Sequence, residues 1–283
     1  MSQTLPHPPP LEQESQGNLP LLGRNEEAAR LRDTILLRQP LLIAGPAGIG
    51  KTALLSHVLP GLPRQVRNRT LHLDGIEGLQ PLLRGLLREL ERVGDATLRA
   101  RLGTGGIRSR TFEDWLGRQS TSRLKGAVYQ AMGQGGYAVL LDHVPSLTHG
   151  VAKVVRELVW MQDTPVYLAV RDQRERTMGD LANVYWGTPQ RLALGALPDA
   201  AALELLERSV VRLGLGKMDL GNFRQEILKL AAGNPGAIVN MCRLAADSKY
   251  HYGSRIKTKL VYIDHLMSLR SRFACGSVLS GGK

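Results

Sequence analysis

Apolar positions recur along this chain with two different periods. Short runs of strand type occupy 40–44, 70–75, 137–142, 164–172 and 191–194, and most of the intervening stretches carry helical spacing. Leu31, Ile35 and Leu36 fit a helix over 28–37, with Asn25 as its N-cap. Leucines at 79, 82, 83, 86, 87 and 90 predict a strongly amphipathic helix over 79–93. Another helix is expected over 120–132, closed by Gly133-Gln134-Gly135-Gly136. From Pro198 the pattern is entirely helical. Asp199 is placed to cap a helix to about residue 213, a second covers 220–232, and a third runs from the turn Gly233-Asn234-Pro235-Gly236 to about 247. Strands alternating with helices, then helices alone, read as an α/β core followed by a helical subdomain of about 50 residues.

Between the first strand and its helix lies Gly45-Pro46-Ala47-Gly48-Ile49-Gly50-Lys51-Thr52, which fits G-x-x-x-x-G-K-[ST] in the context that motif requires. Glycines let the backbone curl so that successive N–H groups point inward at a polyphosphate, and the positive end of the helix opened by Lys51, Thr52 and Ala53 adds its field. Lys51 can place its ammonium against the β- and γ-phosphates, and Thr52 can offer its hydroxyl to Mg²⁺. A phosphate loop therefore predicts nucleotide binding, with ATP and Mg²⁺ as the expected ligands.

The apolar run ending at Asp142 describes a buried parallel strand with a carboxylate at its C-terminal tip, where α/β sheets gather ligands. Asp142 is the candidate second Mg²⁺ ligand. The next residue is His143, where many ATPases carry an acid that activates water. A neutral imidazole can accept a proton, can simply pack, or can mark a slow site, and slow hydrolysis is the reading adopted. Arg171 ends a neighbouring strand, where a guanidinium either reaches the γ-phosphate or pairs with a surface carboxylate. Arg174 and Arg176 follow as candidates for a trans-acting arginine.

Composition changes this picture at two points. The 283 residues are 43% hydrophobic and 22% charged, a globular balance, and no apolar run approaches the ~18 residues of a membrane helix. The first ten residues lack the features of a signal peptide, and the two cysteines, Cys242 and Cys275, lack metal-ligand spacing, which suits a reducing cytoplasm. The net charge of +12 exceeds what binding a nucleotide requires. Nucleic acid is one account of it and solvated surface arginines are the other. The basic segments are 99–110, expected as an exposed loop or broken helix, and the tail 249–283, with Arg255, Lys257, Lys259, Arg270 and Arg272 among tyrosines. The tail also reads as an amphipathic segment packed on the body through Leu260, Ile263, Leu266 and Leu269. Residues 1–20, rich in Pro, Gln and Ser, are expected to be a mobile arm.

Leu22-Gly23-Arg24-x-x-Glu27, the phosphate loop, the strands ending at Asp142 and Arg171, and Gly233-Asn234-Pro235 occur in an order that resembles the AAA+ class of P-loop ATPases. The resemblance covers about residues 20–248 and is strongest to the branch holding the STAND, origin-recognition-like and transposition-associated ATPases. It implies an α/β fold, a five-stranded parallel P-loop NTPase core over 21–197 with a C-terminal helical lid over 198–248, and nucleotide between them. Gly23 and Arg24 would then lie near the adenine, Pro235 would touch the nucleotide from the lid, and Arg171 matches the sensor arginine of STAND proteins. No sensor arginine directly follows Pro235, and the role is not carried over to Arg243. The expected function is a slow Mg-dependent ATPase working as a nucleotide-driven switch. Its alternative partners are DNA, through the basic loop and tail, or other copies or proteins in a signalling scaffold without DNA. A P-loop small-molecule kinase is the reading from another class, but no acceptor-pocket signature supports it. A GTPase is disfavoured because no Asn-Lys-x-Asp element occurs.

Overall fold

The computed structural model describes residues 21–102, 109–144, 148–171, 181, 185 and 191–274, with the side chains at 101–102, 109–111 and 270–274 left aside. Arg174 and Arg176, the expected arm 1–20 and most of the glycine-interrupted part of the basic loop lie outside the described residues.

The five apolar runs form one parallel sheet. Its strands are β1 (Leu41–Ala44), β2 (Thr70–Asp74), β3 (Ala138–Asp142), β4 (Val166–Val170) and β5 (Arg191–Ala193), in the spatial order β2-β3-β4-β1-β5. After β1 the chain crosses to the far edge, steps back through β3 and β4 to lie beside β1, and then passes it to β5. The C-terminal ends of β1, β3 and β4 are thus brought together where the strand order reverses.

The sheet is buried on both faces, and alternate residues serve opposite cores. Leu42, Val139, Leu141 and Leu168 face a core built with the leucines of α4 (Leu79–Val93), α7 (Thr121–Gly135) and α8 (His149–Met161). Leu41, Ile43, Leu140 and Tyr167 face the other, closed by α1 (Asn25–Leu36) and α2 (Lys51–Val58). Short helices α3 (Arg64–Asn68), α5 (Ala96–Leu102) and α6 (Ser109–Arg118) complete the core layer, so the basic stretch holds the ends of two helices. A third core, with Leu206, Phe223, Ile238 and Met241, belongs to the helical subdomain: α9 (Asp199–Arg212), α10 (Gly221–Ala231) and α11 (Pro235–Ala245). A small hairpin, β6 (His251–Tyr252) with β7 (Arg255–Ile256), leads into α12 (Thr258–Ala274).

Several local expectations are corrected. Arg24 occupies the N-cap of α1 and makes no capping bond there, so Asn25 is already the first helical residue. Pro198 takes the same place before α9, leaving Asp199 in the first turn, where its charge suits the helix dipole. Helix α7 runs through Gly133 and ends only at Gly136, whose φ of 58° supplies the left-handed cap. On α12 the packing face differs from the expected one. Val261 and His265 are buried, whereas Leu260, Ile263 and Leu266 are exposed.

Candidate functional site

The phosphate loop emerges from β1 in the crevice at the strand tips. Gly45 N–H donates to the Val170 carbonyl at 3.3 Å, which seats the loop beside the end of β4. A Cβ on Gly45 would lie 2.8 Å from Ile49 Cγ2 and 2.9 Å from the Leu194 carbonyl oxygen, so the turn closes only on glycine. Gly48 and Gly50 hold φ of 78° and 102°, and Ile49 is buried as the anchor beneath the curl. Lys51 folds back over the loop and donates to the carbonyls of Gly45 (2.7 Å) and Pro46 (3.1 Å). Burial pushes its ammonium below the ordinary lysine range. The field of Asp142 opposes this and that of Arg171 adds to it, so both strand-tip residues act electrostatically on Lys51.

Two cavities meet across Gly50, Thr52 and Gly236. The first, about 600 Å³, has a largely apolar wall that includes Leu21, Leu22, Leu197, Leu205 and Pro235, and Arg24 and His57 line it as well. The second, about 930 Å³, gathers Lys51, Thr52, Asp74, His143 and Arg171 from the core and faces Arg243 and His265 from the helical side. Ala47, Gly48, Gly50 and Ala53 line the second cavity as well. Gly23 lines neither. It packs against the helical subdomain, where a Cβ would come 2.7 Å from that of Ala201. Arg24 does line the first cavity, but its guanidinium is engaged with Glu27 (2.7 Å) and the Gly195 carbonyl.

Asp142 is almost wholly buried, and its Oδ1 accepts the N–H of His143 at 2.9 Å. Across the sheet it is the register partner of Asp74, at the tip of β2. His143 adopts φ of 50°, a left-handed conformation that costs a non-glycine residue about 1 kcal/mol. Its Nδ1 lies 3.5 Å from Asp74 Oδ1 and 3.8 Å from Asp142 Oδ1. One ligand atom from each of these three residues falls within 4.8 Å of the others. Arg171 follows Val170 directly and lines the same cavity as Lys51.

Sequence reasoning missed Asp74, because its meeting with Asp142 depends on strand order. Arg243 and His265 were also outside the expected site, although eight residues beyond Pro235 on one helix was a signal available for Arg243. His265 is held by Asn240, whose Nδ2 lies 2.8 Å from the imidazole Nδ1.

No protein-family model matches the chain, and no curated protein matches its sequence. Solved structures do match its fold. A Walker-type ATPase of Pyrococcus abyssi is 15% identical, with a TM-score of 0.56 over 89% of this chain and 76% of that one. The Orc1 protein of Aeropyrum pernix, solved in complex with DNA, is 18% identical, with a TM-score of 0.53 over 89% of this chain and 66% of that one. At these identities the likeness is one of fold.

Proposed function

From the P-loop ATPase fold shared with these structures, we propose that the chain binds Mg·ATP between core and helical lid and hydrolyses it slowly, as a nucleotide-driven switch. The observation that carries this reading is the convergence of Lys51, Thr52 and Arg171 from the core with Arg243 from the lid on one cavity beside the phosphate loop. Domain roles follow: residues 21–197 form the nucleotide-binding core, 198–248 the lid and 249–283 a basic tail.

The apolar cavity takes the base and sugar, with Pro235 closing it from the lid and Arg24 lining it. The N–H groups of the loop and the Lys51 ammonium take the phosphates. Thr52, which lines the second cavity, and Asp142, buried at the neighbouring strand tip, would offer the hard oxygen donors Mg²⁺ prefers. When bound there, the ion neutralises charge on the phosphate chain. Arg171 and Arg243 supply cationic charge from opposite walls, which favours closure when the third phosphate is present. His143 replaces the usual acid, and slow turnover is assigned to that replacement.

The deciding experiment is ATP titration of the parent chain and a Lys51→Ala variant. A loss of affinity of about tenfold or more is expected when the charge-assisted contacts go. Unchanged affinity would end this reading. A DNA-associated role, in the cytoplasm, is supported by the net charge of +12 and the basic tail. Duplex binding that weakens steeply between 50 and 200 mM salt is the expected sign of it. ATP-dependent self-assembly without DNA would favour the signalling-scaffold reading instead.

A further inference from the structure

A trans peptide carries its carbonyl and the following N–H on opposite edges, so holding one directs the other. The lid takes hold of two successive carbonyls of the phosphate loop. Asn234 Nδ2 donates to the Ala47 carbonyl at 2.9 Å, and the Gly236 N–H donates to the Gly48 carbonyl at 2.9 Å. The peptide planes between residues 47 and 48 and between 48 and 49 are thus both gripped from the lid side. Their N–H groups, on Gly48 and Ile49, are turned the opposite way. That of Ile49 makes only a long 3.3 Å bond to the Pro46 carbonyl.

At Gly236 the grip is backbone against backbone. A Cβ on Gly236 would lie 2.7 Å from Gly48 Cα and 2.8 Å from its carbonyl oxygen, and one on Gly48 would lie 2.8 Å from Asn234 Oδ1. Asn234 has a second task, because its Oδ1 accepts the Ala237 N–H at 3.1 Å and caps α11. A cap needs only an acceptor, and Ser or Asp can provide one. The reach to Ala47 needs a donor at the end of the same side chain, which Asn has and those residues do not offer at that length.

We propose that Asn234 is a positioning residue for the phosphate loop: with Gly236 it sets the orientation of the loop amides from outside, so that contact of the lid with the loop governs affinity for the phosphate chain of the nucleotide. This rests on the nucleotide-binding reading above. Its mechanism is distinct from a side chain touching phosphate, since neither residue needs to contact the ligand. An open lid releases both carbonyls, frees the two peptide planes to rotate and lowers the loop's affinity for phosphate.

The test uses the full chain and two variants that break the grip in different ways. Asn234→Ser keeps a neutral cap and removes the reaching amide. Gly236→Ala favours the helix but drives a methyl group into Gly48. Affinities for ATP, ADP and adenosine are measured for the parent, both variants and Lys51→Ala. Adenosine reports the base and sugar site alone. Both variants are expected to lose about five- to tenfold for ATP and ADP, the scale of one or two hydrogen bonds, and Asn234→Ser, at a residue outside the apolar cavity, leaves adenosine unchanged. An equal loss for adenosine in Asn234→Ser, or ATP affinity within about twofold of the parent in both variants, overturns the proposal. If Lys51→Ala binds ATP as the parent does, the phosphate-loop reading itself fails, whereas a loss in Lys51→Ala alone sinks only the role of Asn234.

Discussion

Asp74 and Asp142 stand opposite each other as register partners on adjacent parallel strands, with the His143 ring beside both. Their surroundings differ sharply. The Asp142 side chain is 2% exposed and that of Asp74 is 71% exposed. A buried carboxylate loses little of its field to solvent, whereas an exposed one is screened. Asp142→Asn is therefore expected to remove the Mg²⁺ dependence of ATP affinity, a loss of about tenfold with Mg²⁺ and none in EDTA. Asp74→Asn should change it by no more than about threefold. Titrations with and without the ion check both; an Asp142→Asn variant that keeps its full Mg²⁺ response contradicts the assignment.

Arg24 ties the start of α1 to the segment that joins core and lid, through Glu27 and the Gly195 carbonyl. It is 5% exposed, whereas the Glu27 side chain is 23% exposed and Gly195 is exposed, so removing it loses its own buried contacts and leaves both partners within reach of water. Arg24→Ala should lower unfolding stability by about 1–2 kcal/mol in denaturant titration. A change below about 0.5 kcal/mol would mean the contact is merely superficial.

How much of this was legible beforehand follows from the range of the forces involved. The phosphate loop and the strand to Asp142 are local patterns, fixed by glycine geometry and by runs of apolar residues, and both sit where the sequence places them. Asp74 at the site was not legible, because a crossover to the sheet edge decides its neighbour. The face of α12 was misjudged for a related reason. Leu260 and Ile263 look like core by periodicity, but the helix docks through Val261 and His265 against a subdomain with its own interior. Caps at Asn25 and Asp199 failed by a single residue, where backbone conformation outweighed side-chain preference.

Alkaline pH should unfold the chain by a route the tyrosines define. Burial, followed by the hydrogen bond from Tyr137 Oη to Asp95 (2.9 Å), pushes Tyr137 up to about 12, and burial also raises Tyr167 and Tyr185. The native state then keeps protons that the unfolded chain releases above pH ~10. Stability is complete below that pH and is lost as pH climbs toward 12, by about 1.4 kcal/mol per pH unit for each such group. Melting curves from pH 8 to 12 should show the decline, shallower by one proton in Tyr137→Phe; an equal slope in that variant would contradict it.

Cys242 lies fully buried on α11, and burial, with a smaller push from Glu207, raises its thiol to about 12. Thiolate is the reactive form, so native protein at pH ~8 should leave Cys242 unmodified by iodoacetamide over hours, while denaturant exposes it at once. Peptide-resolved mass spectrometry reads this directly. Rapid labelling of the native chain would show that the lid interior opens far more often than its packing implies.

The docking of α12 has a practical consequence. Val261 belongs to the same apolar interior as Phe223 and Met241, so this last helix is packed with the helical subdomain. Met267 on it and Trp160 on the core are both well exposed. A pair of fluorophores at those two positions would turn any movement of the helical subdomain against the core into a change in energy transfer, giving a ruler for it in single molecules.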